Sequence, residues 1–344
     1  MTTQAHHLNR TTRITLVLLL AAVLAGALAV TTATASSGSY NWPIKPFDRE
    51  HPVRGNFGDP RTLFNTPPTT DGALSGGGSF QFHFGVDISA PDGTPVYPVA
   101  SGTVVSISTK QERVNVSAGD GRTFEYWHIA PAVRVGARVT AAETVLGRVV
   151  RGAKHVHLTE LHGHTPVNPA QVGHLTPYSD HVAPRIRSIS IRKSASTVEL
   201  PNFVRGSVDL VVDASDTTNR AVPGIWAGLP VGAARLAWRV DDMRGHAVVA
   251  NQVTVDITTT IPSNSDFWNV YERGTYQNMS VFGTHYSYMQ PGRYLYRLAP
   301  RGFDTRQLKD GVYDLVVTAM DIRGNSARET LRFTVHNGAG WSGS

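Results

Sequence analysis

The segment FHFGVD (82–87) holds two residues with the chemistry of metal ligands, His83 and Asp87. Gly85 lies between them and Pro91, Gly93 and Pro95 follow, so a helical i, i+4 pair is not expected. Taken alone, the pair fits a solvated loop or two ligands that need a third. KHVHLTEL (154–161) supplies candidates for the third. His155 and His157 alternate with Val156 and Leu158, and in a strand residues i and i+2 face the same way. Both imidazoles then project from one face, where buried neutral rings need polar partners. That is a poor way to build a core and a good way to reach one metal and its water. His162 and His164 repeat the H-x-H spacing, but Gly163 separates them and Thr165-Pro166 follows, which predicts a turn or loop. Strand context therefore favours 155/157. His128 closes the strand-like TFEYWHI (123–129), where Phe124, Tyr126 and His128 are expected on one face. By itself it is a histidine on an apolar face.

These residues must be held by strands. TPVYPV, GTVVSIST, RVNVSA, TFEYWHI and VLGRVV run between the histidines of residues 51–183. DPRTLFNTPPTTDGALSGGGS (59–79) is rich in Pro, Thr and Gly; it is expected as a flexible surface loop leading into His83. The pattern changes near HVAPRIRSISIR (181–192) to short alternating segments, SVDLVVDA (207–214), ARLAWRV (234–240), QVTVDIT (252–258), GVYDLVVTAMD (311–321) and TLRFTV (330–335). Gly-Asn in DIRGNSA (321–327) marks a hairpin turn. This spacing predicts an immunoglobulin-like β-sandwich. Trp268, Tyr271, Tyr276, Tyr286, Tyr288, Tyr294 and Tyr296, in 266–296, are expected as core and cap. Asp209, Asp213 and Asp216 are expected as turn-flanking carboxylates rather than a calcium site.

The bulk numbers bound the chemistry. A chain of 344 residues, 41% hydrophobic and 17% charged, with 32 Gly and 20 Pro, is expected to be globular, mainly β, and divided into two domains. The net charge of +6 suits attraction to a polyanionic surface such as a cell wall. Lys and Arg form no cluster with interleaved aromatics, so nucleic acid is not an expected partner. The sequence has no Cys, which excludes disulfides, thiolate metal sites and cysteine catalysis, and leaves a zinc site to His and carboxylate. Arg10 and Arg13 precede the apolar run ITLVLLLAAVLAGALAV (14–30), and Ala33-Thr34-Ala35 follows. This reads as a secretory signal peptide (1–35) cut after Ala35, the alternative being an uncleaved membrane anchor. In both cases the body lies outside the cytoplasm, and after cleavage no stable membrane association is expected. The expected organisation is then a linker (36–50), a first domain (51–183), a β-sandwich domain (184–337) and a flexible tail (338–344).

Five segments in order resemble one family. VRGNFGDPR (53–61) is similar to an opening FG-x-R segment, and HFGVDISAPDGTPVYPVASGTVV (83–105) to an H-x-G-x-D segment with its GTPV strand. YWHI (126–129), the spaced Gly/Val pattern of VRVGARVTAAETVLGRV (133–149) and HVH (155–157) follow. The chain resembles the M23 family of zinc metallopeptidases, the lysostaphin- and LytM-like peptidoglycan endopeptidases. The resemblance implies an antiparallel-sheet peptidase domain with one zinc per chain. His83, Asp87 and His157 would be its ligands, and His128 and His155 would flank the bound water. Three protein ligands with an open fourth position is the catalytic arrangement. The implied reaction is hydrolysis of peptidoglycan stem or cross-bridge peptides by a zinc-activated water assisted by the two histidines. No H-E-x-x-H occurs, so a glutamate-based helix mechanism is not available.

The implied setting is secreted, extracellular and associated with the cell wall. Two departures bear on the groove. VRGAK (150–154) replaces the family's Gly/Thr/Ser-rich turn, and Leu158-Thr159 follow the second histidine in place of Phe-Glu, with Glu160 on the opposite face. The alternatives are a non-catalytic M23-like activator of another wall hydrolase, or a wall-binding module working through the C-terminal half. Because every proposed site residue lies before residue 183, a fragment of about 38–183 is expected to fold and bind zinc alone. Nothing in the sequence sets the oligomeric state.

Overall fold

Runs of β-branched and aromatic residues, broken every few positions by Gly, Pro and Asp, form strands rather than helices. The computed structural model describes residues 38–64, 77–280 and 289–338. The expected signal peptide, the centre of the Pro/Gly-rich stretch (65–76), Tyr286, Tyr288 and residues 339–344 lie outside them. Among the described residues, helical structure is confined to the short turns Gly224–Trp226, Asn264–Asp266, Phe267–Val270 and Thr305–Gln307. No helix among them is long and apolar enough to cross a membrane. The fold is mainly β, with antiparallel sheets, as expected.

The N-terminal half is built on one sheet. Its strands are β1 (Val53–Gly55), β2 (Val86–Ser89), β3 (Gly102–Ser108), β4 (Arg113–Ser117), β5 (Arg122–Trp127) and β6 (His155–His162). They lie in the order β1-β2-β6-β5-β4-β3, with Arg138–Val139 beyond β3, and every pair is antiparallel. The central β6 is buried on both faces. Val156 and Leu158 enter the core with Ile88, Val114, Val116, Phe124 and Tyr126. Full burial of side chains of this size stabilises by roughly 1.5–3 kcal/mol each. The opposite face of β6 carries His155, His157 and Thr159.

Tyr40, Trp42 and Ile44, inside the stretch expected as a linker, close this core. Trp42 Nε1 donates to the Pro177 carbonyl at 2.7 Å, and the Tyr40 hydroxyl donates to Glu160 Oε2 at 2.6 Å. Glu160 does lie on the face opposite the histidine pair. It is fully buried, with His174 Nδ1 and His162 Nε2 at 2.7 and 2.8 Å from its carboxylate oxygens.

The C-terminal half contains β7 (Arg185–Lys193), β8 (Phe203–Val204), β9 (Ser207–Ser215), β10 (Arg235–Asp242), β11 (Ala247–Asp256), β12 (Leu295–Arg297), β13 (Gly311–Met320) and β14 (Ser326–Val335). One sheet runs β7-β9-β12 and the other β8-β14-β13-β10-β11; the short β8–β14 pair is parallel. Leu210 and Val212 from the first sheet share a core with Leu236, Trp238, Leu315, Val317 and Phe333 from the second. The expected hairpin joins β13 to β14: Asp321 Oδ1 accepts the N–H groups of Arg323 and Asn325, and Gly324 takes φ 90°. Asp209 and Asp213 lie within β9 rather than in a turn.

The described residues from Ser39 onward form one compact unit, and the two cores meet along a seam. Phe82, next to His83, belongs to the C-terminal core, with ring centroids 5.4 Å from Phe267 and 5.8 Å from Tyr271. The Tyr271 hydroxyl donates to the Gly58 carbonyl at 2.8 Å, and Gly232 N–H donates to Asp59 Oδ1 at 2.7 Å. Asn168 N–H donates to the Thr259 carbonyl at 2.8 Å. A chain ending at residue 183 would lose these partners, which the expectation of a self-supporting fragment did not foresee.

Candidate metal centre

Strand register brings the expected ligands together. Across the β2–β6 pair His157 stands opposite Asp87 and His155 opposite Ser89; across β5–β6 His157 stands opposite Trp127. His83 precedes β2, its backbone N–H donating to the Asp59 carbonyl at 2.8 Å. One donor atom from each of His83, Asp87 and His157 lies within 4.8 Å of the others. His83 Nε2 is 3.1 Å from Asp87 Oδ1 and 2.8 Å from His157 Nδ1, and His157 Nδ1 is 3.0 Å from Asp87 Oδ1. All three residues are buried.

Neighbouring groups orient these atoms. His83 Nδ1 lies 2.7 Å from the Asn56 carbonyl, which can only accept, so Nδ1 carries the proton and Nε2 presents a lone pair. His157 Nε2 is 2.8 Å from the Thr159 hydroxyl, which can accept its proton and leave Nδ1 as the donor atom. Arg61 Nη2 donates to Asp87 Oδ2 at 2.7 Å and leaves Oδ1 facing the histidines. Two imidazole lone pairs and a carboxylate oxygen turned toward one point are satisfied by a cation, and the set suits zinc.

The electrostatics agree with neutral rings. Burial pushes His83 down to about 3, reinforced by Arg61 and opposed by Asp87. It pushes His155 down to about 3 as well, and lowers His128. Burial would raise Asp87, but the positive charge of His83 and His155 when they carry a second proton, and of Arg61 throughout, holds it well below the usual carboxylate range.

Gly85 makes the close approach possible. A Cβ there would meet His157 Nε2 at 2.7 Å and collide with the Leu158 carbonyl oxygen.

The two remaining histidines stand beside the donors. His155 Nε2 is 3.5 Å from Asp87 Oδ1, and the His155 and His128 ring centroids are 4.4 Å apart. His128 does not share a strand face with Phe124 and Tyr126 as expected. The strand stops at Trp127, and His128 takes φ 64°, in the left-handed region. Phe124 and Tyr126 stay in the core, while this kink turns His128 into the groove. The competing pair lies elsewhere: His162 ends β6 beside Glu160, and His164 is exposed in the following turn.

The groove has a volume of about 320 Å³ and takes residues from both halves, including Arg54, Trp127, Trp226, Asn278 and Tyr294. Sequence reasoning missed several supporting residues. Thr159 was within reach, since it is the next residue on the His155/His157 face. Arg61 lay in the FG-x-R segment without an assigned role. Trp226, Asn278 and Tyr294 carry no local signal; the fold alone delivers them. A second carboxylate group, Asp180, Asp216 and Asp321, also clusters within 4.8 Å. These side chains accept the backbone N–H groups of Val182, Thr217 and Arg323, as turn-capping carboxylates do.

Residues 81–169 match Peptidase family M23. No curated protein matches the chain. Among solved structures it is similar to one described as the SpoIIQ–SpoIIIAH pore forming complex, at 17% identity over 39% of this chain and 89% of that one, with a TM-score of 0.30. It is also similar to a zinc containing peptidase from Vibrio cholerae, at 20% identity over 38% of this chain and 39% of that one, TM-score 0.28. A third is the catalytic domain of a mutant of the prophage-encoded M23 protein EnpA from Enterococcus faecalis, at 23% identity over 34% of this chain and 92% of that one, TM-score 0.25. With the family match covering the segment that holds His83, Asp87, His128, His155 and His157, the chain carries a peptidase family M23 domain.

Proposed function

We propose that this protein is a zinc metalloendopeptidase of the M23 type, secreted by way of its N-terminal segment and acting on peptidoglycan peptides at the cell wall. The observation that carries the reading is the convergence of His83 Nε2, Asp87 Oδ1 and His157 Nδ1 on one point at the groove floor, with two further histidines alongside. When bound, zinc supplies a Lewis acid that acidifies water and polarises a scissile carbonyl.

The chain's own residues do the rest. His83, Asp87 and His157 hold the metal. Asn56, Arg61 and Thr159 fix the orientation of those ligands. His155 and His128 take up the proton of the attacking water and stabilise the developing oxyanion. The half-buried aromatic rings of Phe84 and Trp127, whose centroids lie 4.8 and 6.2 Å from that of His157, form an apolar wall on one side of the site. The strand order β7-β9-β12 over β8-β14-β13-β10-β11 supports reading the C-terminal half as an immunoglobulin-like sandwich.

The test is mass spectrometry of fragments released from defined wall peptides by the zinc-loaded protein. Cleavage at one peptide bond, abolished by chelation and restored by zinc, is the expected result. Zinc-loaded protein that releases no fragment, yet stimulates a second wall hydrolase, would establish the activator reading instead.

A further inference from the structure

We infer that the groove contains an anion subsite, formed by Arg54 of the N-terminal half and Trp226 of the C-terminal half, which receives a carboxylate of the substrate peptide. The inference rests on the peptidase reading and names a substrate feature that this reading leaves open.

Two guanidinium groups line the groove, and they are engaged differently. Arg61 is committed to Asp87 at 2.7 Å. Arg54 forms no ion pair with a carboxylate among the described residues. Its guanidinium carbon lies 4.1 Å from the ring centroid of Trp226, so the ring backs one face of the group. Nη2 reaches His155 Nδ1 at 2.6 Å, while the buried Nε has no hydrogen-bond partner. With its face stacked on Trp226, the guanidinium keeps its in-plane N–H groups for hydrogen bonds, and Nη1 with the second N–H of Nη2 makes a fork that matches a carboxylate in two parallel hydrogen bonds. Burial pushes Arg54 down to about 10, which still leaves it charged at neutral pH.

Among the described residues no carboxylate of the same groove hydrogen-bonds Arg54, although the charge of Asp87 favours its protonated form. Asp87 is held by Arg61, and Asp59 accepts the backbone N–H groups of Asn56 and Gly232 at 2.8 and 2.7 Å. Position sets the register of the ligand. Arg54 touches His155, which flanks the metal ligands, and an extended peptide advances about 3.3 Å per residue. The recognised carboxylate therefore sits one or two residues from the reacting bond. Trp226 arrives on the short turn Gly224–Trp226, so the C-terminal half takes part in substrate selection directly.

The experiment uses the full chain and one cell-wall stem pentapeptide in four forms, its C-terminal and side-chain carboxylates each free or amidated. Amidating the recognised carboxylate should lower kcat/KM by about 10–100-fold, the range of a charge-assisted hydrogen-bond pair. Comparing the four forms shows which carboxylate is read. In Arg54→Gln the acid and amide forms should react alike, whatever the absolute rate. Arg54→Lys should recover part of the difference, and Trp226→Ala should shrink it through KM. Equal turnover of all four forms by the unaltered protein, or undiminished discrimination in Arg54→Gln, overturns the subsite. Calorimetric titration with the same peptides separates the two claims. If no form is cleaved but the acid form binds more tightly, and Arg54→Gln removes that preference, the subsite stands and the peptidase reading falls. Equal binding of all forms overturns the subsite.

Discussion

His157 stands directly opposite Asp87 across the β2–β6 pair, with its Nδ1 3.0 Å from the Asp87 carboxylate. The register accounts for the chemistry. A slip of one residue would exchange His155, His157 and Thr159 for Val156, Leu158 and Glu160 on the groove face. The apolar packing of Val156 and Leu158 therefore fixes where the two imidazoles point.

The flanking histidines are expected to separate binding from turnover. His128→Ala and His155→Ala should each retain zinc and lose a factor of roughly 10²–10⁴ in rate on a wall peptide. Zinc content by elemental analysis, measured beside turnover, decides each role. A metal-free His155→Ala protein would make that residue a ligand, and near-normal turnover would remove it from the mechanism.

Gly85→Ala tests the close approach between the 83–87 segment and β6. The added Cβ would stand 2.7 Å from His157 Nε2, in a region with no slack toward Leu158. Overpacking of this kind costs about 1–3 kcal/mol. A lower Tm and weaker zinc retention against a competing chelator are expected. Unchanged values of both would show that the strand and loop can part without cost.

The clustering of His83, Asp87, His155 and His157 was legible in part through local rules, while the choice of His157 over His155 as third ligand rests on the family resemblance. The i, i+2 rule put His155 and His157 on one strand face, and Gly85 with the nearby prolines ruled out a helix at His83 and Asp87. His128 was misplaced onto the Phe124/Tyr126 face because a single left-handed residue, φ 64°, carries no mark in a sequence whose kinks are usually glycine. The seam was invisible for a different reason. Phe82 alternates like any strand residue, and only the assembled fold buries it against Phe267 and Tyr271 rather than in the nearer core. Arg54 and Trp226 meet by the same long-range packing.

Phe82→Ala probes that seam next to the site. The side chain is 1% exposed, and deleting a buried phenylalanine costs about 3–5 kcal/mol. Thermal denaturation should show a clear loss of stability. Zinc should also be lost more readily, because His83 is the adjoining residue. A variant as stable as the parent would mean that the halves are joined without help from Phe82.

Asp216→Asn addresses the carboxylate cluster. Burial, with Asp180 and Asp321 adding to it, pushes the Asp216 carboxyl up to about 8. A folded-state value above the unfolded one gives stability that is present below about pH 4 and lost as pH rises through about 8. An amide keeps the Oδ1 acceptor used by Thr217 N–H and carries no charge. The variant should therefore melt at a higher temperature than the parent at pH 8 and show no gain at pH 4. A lower Tm at pH 8 would show that the Asp216 charge is compensated in the folded protein.

The central claim is that His83, Asp87 and His157, and not the second H-x-H pair, hold one catalytic zinc. Elemental analysis of the purified full chain, His157→Ala and His164→Ala tests it most directly. One zinc per chain is expected in the parent and in His164→Ala, and loss of zinc in His157→Ala with the fold retained by circular dichroism. Zinc kept by His157→Ala and lost from His164→Ala, or a folded parent protein that takes up no zinc, would contradict it.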